Sequence, residues 1–207
     1  MLRILGKRQS INVRKVLWAC DEMGLLYDQE EWGTGTRLTS EPEFQALNPK
    51  RLVPVLVDDG AVITESNTIL RYLASTHGRT DLLPAEPIAR ARVEEMMDWQ
   101  ATELNWSWRP AFQAIVRQSA SAGSPAQIEQ SLADWRSMMM LLEARLAKGA
   151  PYVCGETFTL ADIVIGLSVN RWFQTPITRP ALPQVRKYFD RLAHRPASHP
   201  HLGGTTD

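Results

Sequence analysis

The sequence predicts two structural units: a small α/β unit with a mixed sheet of about four strands, and an all-helical unit after it. Over residues 1–80, short strand-forming runs alternate with helical patterns in the order β-α-β and then β-β-α. Residues 81–87 carry two prolines, and from Ile88 onward strand signals vanish while long helical periodicities take over. We therefore expect domains at residues 1–80 and 88–207, joined by a linker at 81–87.

The elements of the first unit follow from periodicity and turn residues. Apolar residues recur at intervals of three and four from Val13 to Met23, which predicts an amphipathic helix that stops at Gly24. Two apolar runs flank Asp58-Asp59-Gly60, which predicts a β-hairpin. The predicted strands are residues 2–5, 25–32, 53–57 and 61–63, and the predicted helices are residues 13–23, 41–47 and a segment that starts at Glu65 and continues past Leu73.

The second unit carries four helical patterns. The first covers residues 93–104, and Pro110 should kink or stop that helix because proline offers no N–H to the helical ladder. The second, residues 128–146, closes near Gly149. Thr159 and Asp162 resemble a capping box that starts the third, with Asp in place of the usual Glu or Gln, and this helix should run to about Val169. The fourth is residues 182–193.

Composition excludes several classes of function. The chain has 207 residues, 44% of them hydrophobic and 22% charged, as expected of a folded globular protein. Lys plus Arg and Asp plus Glu both number 23, so no net field gathers nucleic acid or anionic lipid. No apolar run approaches the length of a membrane span or of a signal peptide, which predicts a cytoplasmic protein without a membrane partner.

The cysteines and histidines do not indicate a metal site. Cys20 and Cys154 form no C-x-x-C pair and have no metal-ligand spacing to the four histidines. Cys20 falls on the apolar face of the first predicted helix, so we expect a buried structural thiol.

The run Leu52-Val53-Pro54-Val55-Leu56 is the most informative local motif. Proline cannot serve a central strand, so Pro54 marks the start of one. If the Val53-Pro54 bond is cis, the N–H and C=O of Val53 turn outward and can pair with a peptide ligand as a strand would. Glu65 and Ser66 then stand at a helix start, where free N–H groups attract a carboxylate and Glu65 can pair with an ammonium. Together these groups suit a small zwitterionic peptide.

These motifs, in this order, resemble the cytosolic glutathione S-transferases. The resemblance covers nearly the whole chain and rests on their combined spacing. Its implied fold is a thioredoxin-like α/β domain followed by an all-α helical bundle. The motifs are Ser10 with Arg14, Asn48-Pro49, Val53-Pro54, Glu65-Ser66-Asn67, and the Thr159-Leu160-Ala161-Asp162 cap.

The resemblance implies a residue that manages the glutathione thiol, and two candidates stay open. The serine-type classes carry Ser-x-Pro-x-Arg after the first strand; here Ser10 and Arg14 match, but Asn12 replaces the proline. A bacterial class instead carries Thr-Pro-Asn, and Asn12 aligns with that asparagine. With the resemblance, we assign Ser10 as the hydrogen-bond donor to the thiolate, and Asn12 as second donor or substitute. Ser10 could instead be only a helix N-cap, and Asn12 could equally be a first-turn residue facing water.

The resemblance also implies the contacts of the tripeptide, with glutathione as co-substrate. Val53 should pair with its cysteinyl part, and Glu65 and Ser66 should hold the γ-glutamyl ammonium and carboxylate. Arg51 is a candidate for the glycine carboxylate, and Arg37 is a weaker one, since an exposed arginine is more often simply solvated.

The implied activity is transfer of the thiolate to a small hydrophobic electrophile, in a homodimer. Trp99, Trp106, Trp108 and Trp172 could line the second pocket, although tryptophans at helical spacing are more often core. Two alternatives remain: a glutathione-dependent disulfide or peroxide reductase, which Asn12 suggests, and a non-catalytic binding module of the same fold.

Overall fold

The computed structural model describes residues 1–203; residues 204–207, the end of the predicted helical domain, lie outside the described part. It confirms the predicted fold class. Four strands form one mixed sheet in the order β2-β1-β3-β4, where β1 pairs parallel to β2 and antiparallel to β3, and β3 pairs antiparallel to β4. Every helix from residue 87 onward belongs to the second unit.

The bounds of the elements are close to those expected. The strands are β1 Leu2–Leu5, β2 Tyr27–Glu30, β3 Val55–Asp58 and β4 Ala61–Thr64. The helices are α1 Ile11–Met23, α2 Pro42–Leu47, α3 Ser66–Thr76, α4 Pro87–Trp99, a π-helical segment Gln100–Leu104, α5 Asn105–Ile115, α6 Pro125–Leu146, α7 Leu160–Gln174, α8 Pro183–Ala193 and a 3₁₀ turn Pro196–Ser198. None of these helices is both long enough and apolar enough to cross a membrane.

Helix α1 is the centre of the molecule. It packs against α3 on the side of its own domain and against α7 of the helical domain. Its residues from Val13 to Cys20 are all buried, as predicted for Cys20. At Gly166, α7 packs closely on its neighbours: a Cβ atom there would lie 2.6 Å from Leu192 Cδ1 of α8, in the same domain, and 3.3 Å from the ring of Trp18 on α1.

The helix does not stop at Pro110, so that part of the prediction is wrong. Helix α5 continues to Ile115, and the irregularity lies earlier, in the π-helical segment. The reason is packing: Trp108, Ala111 and Phe112 on the same helix are all buried. A proline inside a helix costs about 3 kcal/mol, whereas each fully buried aromatic side chain contributes about 1.5–3 kcal/mol. Helix α7 also runs five residues past its predicted end at Val169.

Asp162 organises the start of α7, as the capping-box pattern predicted. Its carboxylate accepts hydrogen bonds from the Thr159 N–H at 2.8 Å, the Thr159 hydroxyl at 3.1 Å, the Val153 N–H at 3.0 Å and the Tyr188 hydroxyl at 3.0 Å. The residue is fully buried. Burial raises the pKa of Asp162 to about 6, although these four donors oppose the shift.

We expect this carboxyl to make folding stability fall as pH rises from about 4 to about 6. The unfolded chain loses the Asp162 proton near its reference pKa of about 3.9, whereas the folded protein holds it to about 6, so the stabilisation present below pH 4 is lost through this window. Two pKa units correspond to about 3 kcal/mol. Urea unfolding of the wild type and of Asp162→Asn between pH 4 and 7 measures the difference. Parallel pH curves for the two proteins would contradict the assignment.

Candidate functional site

The main chain ahead of β3 is left open, as the sequence predicted. The Val53-Pro54 bond is cis, and β3 begins at Val55. No main-chain hydrogen bond joins Val53 to any residue in the described part of the chain. Leu52, the residue before it, is held by its carbonyl, which accepts from Asn48 Nδ2 at 2.7 Å. Val53 therefore presents a free N–H and C=O beside a fixed loop.

Gly6 holds Val53 against the start of α1. The residue has φ +144°, and a Cβ atom there would lie 2.5 Å from Val13 Cγ2 and 2.9 Å from Val53 Cβ. The turn between β1 and α1 and the loop ahead of β3 thus touch at a point that has room only for glycine.

Ser10 occupies the N-cap position of α1 but does not cap it. Its hydroxyl makes no capping hydrogen bond, while its carbonyl accepts from the Arg14 N–H at 2.9 Å. The alternative in which Ser10 serves only as a cap is therefore not the conformation found here. The half-buried hydroxyl is free to turn toward a ligand.

Asn12 and Ser66 meet across the domain. The Ser66 hydroxyl donates to Asn12 Oδ1 at 3.4 Å, so the first turn of α1 contacts the first turn of α3. Asn12 does not simply face water. Glu65, the residue before α3, has a positive φ of 67° and a side chain that is 63% exposed. Such a backbone in a non-glycine residue is uncommon and concentrates at functional sites.

Lys50 is the residue that sequence reasoning missed. Its Nζ lies 2.9 Å from Glu65 Oε1, which places a cation at the open side of the site. The adjacent Arg51 has φ 57° and donates from Nε and Nη2 to Gln45 Oε1 at 3.2 and 2.9 Å. The only signal in the sequence was the basic pair Lys50-Arg51 before the Pro54 motif. This pair does not indicate which of the two side chains reaches Glu65.

Arg37 has other partners in the structure. It pairs with Glu43, lies 3.8 Å from Glu30 and stacks on the Trp32 ring at 3.7 Å from the ring centre. These contacts hold the loop between β2 and α2. In the described structure Lys50 contacts Glu65, whereas Arg37 and Arg51 do not.

The thiols of the chain are not part of the site. Cys20 is fully buried, and burial raises its pKa to about 12. Burial likewise raises the pKa of Cys154, whose sulfur lies 3.5 Å from the Arg92 carbonyl of α4, to about 12. Because the thiolate is the reactive form, neither side chain is a nucleophile at neutral pH. Among the described residues, no cluster of His, Cys, Asp and Glu could hold a metal ion.

The four tryptophans do not share one pocket. Trp108 and Trp172 are buried in the helical core, as the simpler interpretation expected. Trp99 lines a cavity of 550 Å³ between α4 and α6 that contains none of the predicted ligand residues. Trp106 is 63% exposed and borders a groove of 390 Å³ between α5 and α6.

The fold and this arrangement define a class: two-domain proteins whose small α/β unit has unpaired main chain ahead of a strand and two uncapped helix starts. Comparison with known proteins makes the class specific. Residues 9–76 match the family model of the N-terminal domain of glutathione S-transferases, and residues 125–191 match that of the C-terminal domain. The chain belongs to the glutathione S-transferase family.

Named relatives cover the chain almost end to end. Glutathione S-transferase GstB of Escherichia coli K12 is 33% identical over 199 residues, 95% of each chain. Glutathione S-transferase 3 of maize is 33% identical over 95% of this chain and 90% of its own. Among solved structures, the theta class glutathione S-transferase of Xanthomonas axonopodis pv. citri with glutathione bound superimposes with a TM-score of 0.92, at 34% identity, over 100% of this chain and 99% of that one.

We expect Gly6→Ala to destabilise the protein more than a matched glycine substitution elsewhere. The new methyl group meets both Val13 and Val53, and overpacking of this kind costs about 1–3 kcal/mol in addition to the cost of the unusual backbone. Gly78→Ala is the control, because Gly78 has φ +63° but no atom within 4 Å of the new Cβ. Equal losses of unfolding free energy in urea would contradict the close contact.

Proposed function

We propose that this protein transfers the thiolate of glutathione to small hydrophobic electrophiles, with glutathione bound in the α/β domain. The observation that carries the proposal is that the unpaired Val53 main chain and the Glu65-Ser66 start of α3 stand at the same end of the paired strands β3 and β4, where Val55 faces Thr64. The bound glutathione in the Xanthomonas relative supports the same ligand.

The tripeptide matches these groups one by one. Val53 pairs through its main chain with the cysteinyl part, as an added strand would. Ser66, at the first position of α3, receives the γ-glutamyl carboxylate with the free N–H groups of that helix start. Glu65 receives the ammonium in place of Lys50, whose exposed ion pair is worth at most about 1 kcal/mol and is easily exchanged. The released Lys50, and Arg51 if it leaves Gln45, are the cations available to the glycine carboxylate.

The thiol is activated by hydrogen bonding without a general base. A reference pKa of about 8.5 leaves only a few per cent thiolate at neutral pH. Lowering it by about two units requires about 2.7 kcal/mol. A hydroxyl donating to the anion supplies about 1.5–3 kcal/mol, and the start of α1 adds about 0.3–1 kcal/mol. We assign the donor to Ser10, with Asn12 as second donor or substitute.

The direct test is binding and turnover together. Calorimetry should detect reduced glutathione at or below millimolar levels, and a chloroarene should be conjugated faster than a low-molecular-weight disulfide is reduced. Faster disulfide reduction would favour the reductase, and binding without turnover of either substrate would favour a binding module. No association with glutathione would overturn all three readings.

We propose further that the protein is a cytoplasmic homodimer, as the family resemblance implies. An apolar surface on α6 supports an interface there, since Met140 and Leu141 are 57% and 56% exposed. Leu141 also lines the cavity between α4 and α6. A particle of twice the chain mass in light scattering is the expected result, and a monomer at micromolar concentration would contradict it.

We expect Ser10→Ala to lower kcat/KM about 10- to 100-fold, because the loss of a hydrogen bond to an anion costs about 1.5–3 kcal/mol. Its stability should change little, because the hydroxyl caps nothing. Ser124→Ala is the matched control: the Ser124 hydroxyl accepts from the Gln127 N–H at 3.3 Å at the start of α6, so this variant should lose about 1 kcal/mol of stability and keep its activity.

The assignment to Ser10 has a specific competitor. If Ser10→Ala retains kcat/KM while Asn12→Ala abolishes it, Asn12 is the donor and the primary assignment is wrong. The ultraviolet absorbance of the bound thiolate as a function of pH gives a second readout, which should shift to higher pH only in the variant that lacks the donor.

A further inference from the structure

Lys15 is a buried lysine without a carboxylate partner. It lies in the second turn of α1 and is 2% exposed. Its Nζ donates to Gln100 Oε1 at 2.7 Å and to Asn67 Oδ1 at 3.4 Å, and both acceptors are uncharged amides. No salt bridge to Lys15 exists among the residues that the structure describes. Burial of a charge without an opposite charge is costly, so a lysine held in this way needs a reason.

The two amides that hold Lys15 connect the candidate site to the helical domain. Asn67 follows Ser66 directly, and its Nδ2 donates to the Met97 carbonyl at 2.8 Å. Gln100, fully buried, is the first residue of the π-helical segment, and its Nε2 donates to Ser168 Oγ at 3.0 Å. Short π-helical segments inside α-helices are frequent at functional sites. Lys15 thus sits where α1, α3, the π-helical segment and α7 meet.

The charges around Lys15 disfavour its protonated form in the absence of ligand. Arg171 approaches from α7 with a buried guanidinium. Arg14, the sequence neighbour of Lys15 on α1, is also buried but donates to the His201 carbonyl. Glu65, before α3, is the opposing anion, but it is exposed to solvent. Burial and Arg171 together lower the pKa of Lys15 to about 7, against the smaller effect of Glu65. Asn67 and Gln100, which accept from the Lys15 Nζ, carry no charge, and neither does Ser168, which bonds Gln100.

We propose that Lys15 is a positioning residue for the peptide ligand: it takes up a proton from solvent when glutathione binds, and the resulting ammonium supports Ser66 through Asn67. This inference rests on the proposed function, which brings the γ-glutamyl carboxylate to Ser66, one residue from Asn67. Asn12, beside which the thiolate would lie, is three residues before Lys15 and so one helical turn away on the same face. Glutathione has a net negative charge, and its ammonium lies farther from Lys15, on solvated Glu65. The bound ligand therefore raises the proton affinity of Lys15.

Thermodynamic linkage makes the effect reciprocal. A ligand that raises the proton affinity of Lys15 must itself bind more tightly to the protonated protein, by the same factor. The helical domain is part of the linkage, because Gln100 and Ser168 belong to it. The proposal therefore explains why an ammonium is kept at the domain boundary where a methionine of similar length would avoid the cost of burying a charge.

The test uses S-methylglutathione, which has both carboxylates but no thiol to ionise. Its binding is measured by calorimetry at pH 7.5 in phosphate and in Tris, whose ionisation enthalpies differ, and the difference gives the protons exchanged. We expect the wild type to take up about 0.5 proton per site, the value for a rise of about one pKa unit from about 7. Binding with no proton uptake overturns the proposal about Lys15 and leaves the proposed function standing. No binding of either S-methylglutathione or glutathione overturns both.

Variants assign the proton to Lys15. Lys15→Met should bind without proton uptake, whereas Lys148→Met, at an exposed position after α6, should retain it. If Lys15→Met does not fold, Gln100→Glu serves instead, because a carboxylate in contact with Nζ keeps Lys15 charged before the ligand arrives and again removes the uptake. Uptake that persists in either folded variant shows that another group carries the proton and overturns the proposal.

Discussion

The structure depends on α1 being buried on two sides while its first turn stays open. Its residues from Val13 to Cys20 are enclosed between α3 and α7, so the position of this helix is fixed by both domains at once. Ser10 and Asn12, both half-buried, stand at the N-terminal end of α1. The helix cannot shift without disturbing the close contacts of Val13 with Gly6 and of Trp18 with Gly166. Because Gly6 also touches Val53, the start of α1 is held beside the Val53 loop.

Local patterns predicted most of the fold. The periodicity of α1, the Asp-Asp-Gly hairpin and the Thr159–Asp162 cap each depend on residues close in sequence, and each is present. The helix does not stop at Pro110, because the burial of neighbouring residues against other helices outweighs the local cost of a proline inside a helix. The same difference decides which residues of the candidate site the sequence could predict. Val53 and Ser66 were predicted from local motifs. The contact of Lys50 with Glu65 and the burial of Lys15 depend on segments far away along the chain.

Polar contacts across the domain boundary give the two domains a definite mutual orientation. The guanidinium of Arg14 on α1 donates to the His201 carbonyl at 3.0 Å, and that of Arg195 pairs with Glu22 of α1 at 2.7 Å. An apolar boundary tolerates sliding more readily than one crossed by directed contacts of this kind. Such groups contribute little net stability and act by specifying one arrangement, which is the arrangement that places the helical domain against α1.

Some helices in this molecule begin with a side-chain cap, and others begin without one. Helices α4 and α6 begin with the side chains of Glu86 and Ser124 bonded to their first N–H groups. Helices α1 and α3, which begin in the candidate site, have no such side-chain cap within the described structure, and neither has the short helix α2. An uncapped start forgoes about 1 kcal/mol and leaves N–H groups that need an acceptor. Under the proposed function, a ligand with a carboxylate and a thiolate would satisfy both starts at once, and the stability missing from the free protein would then appear as affinity for that ligand.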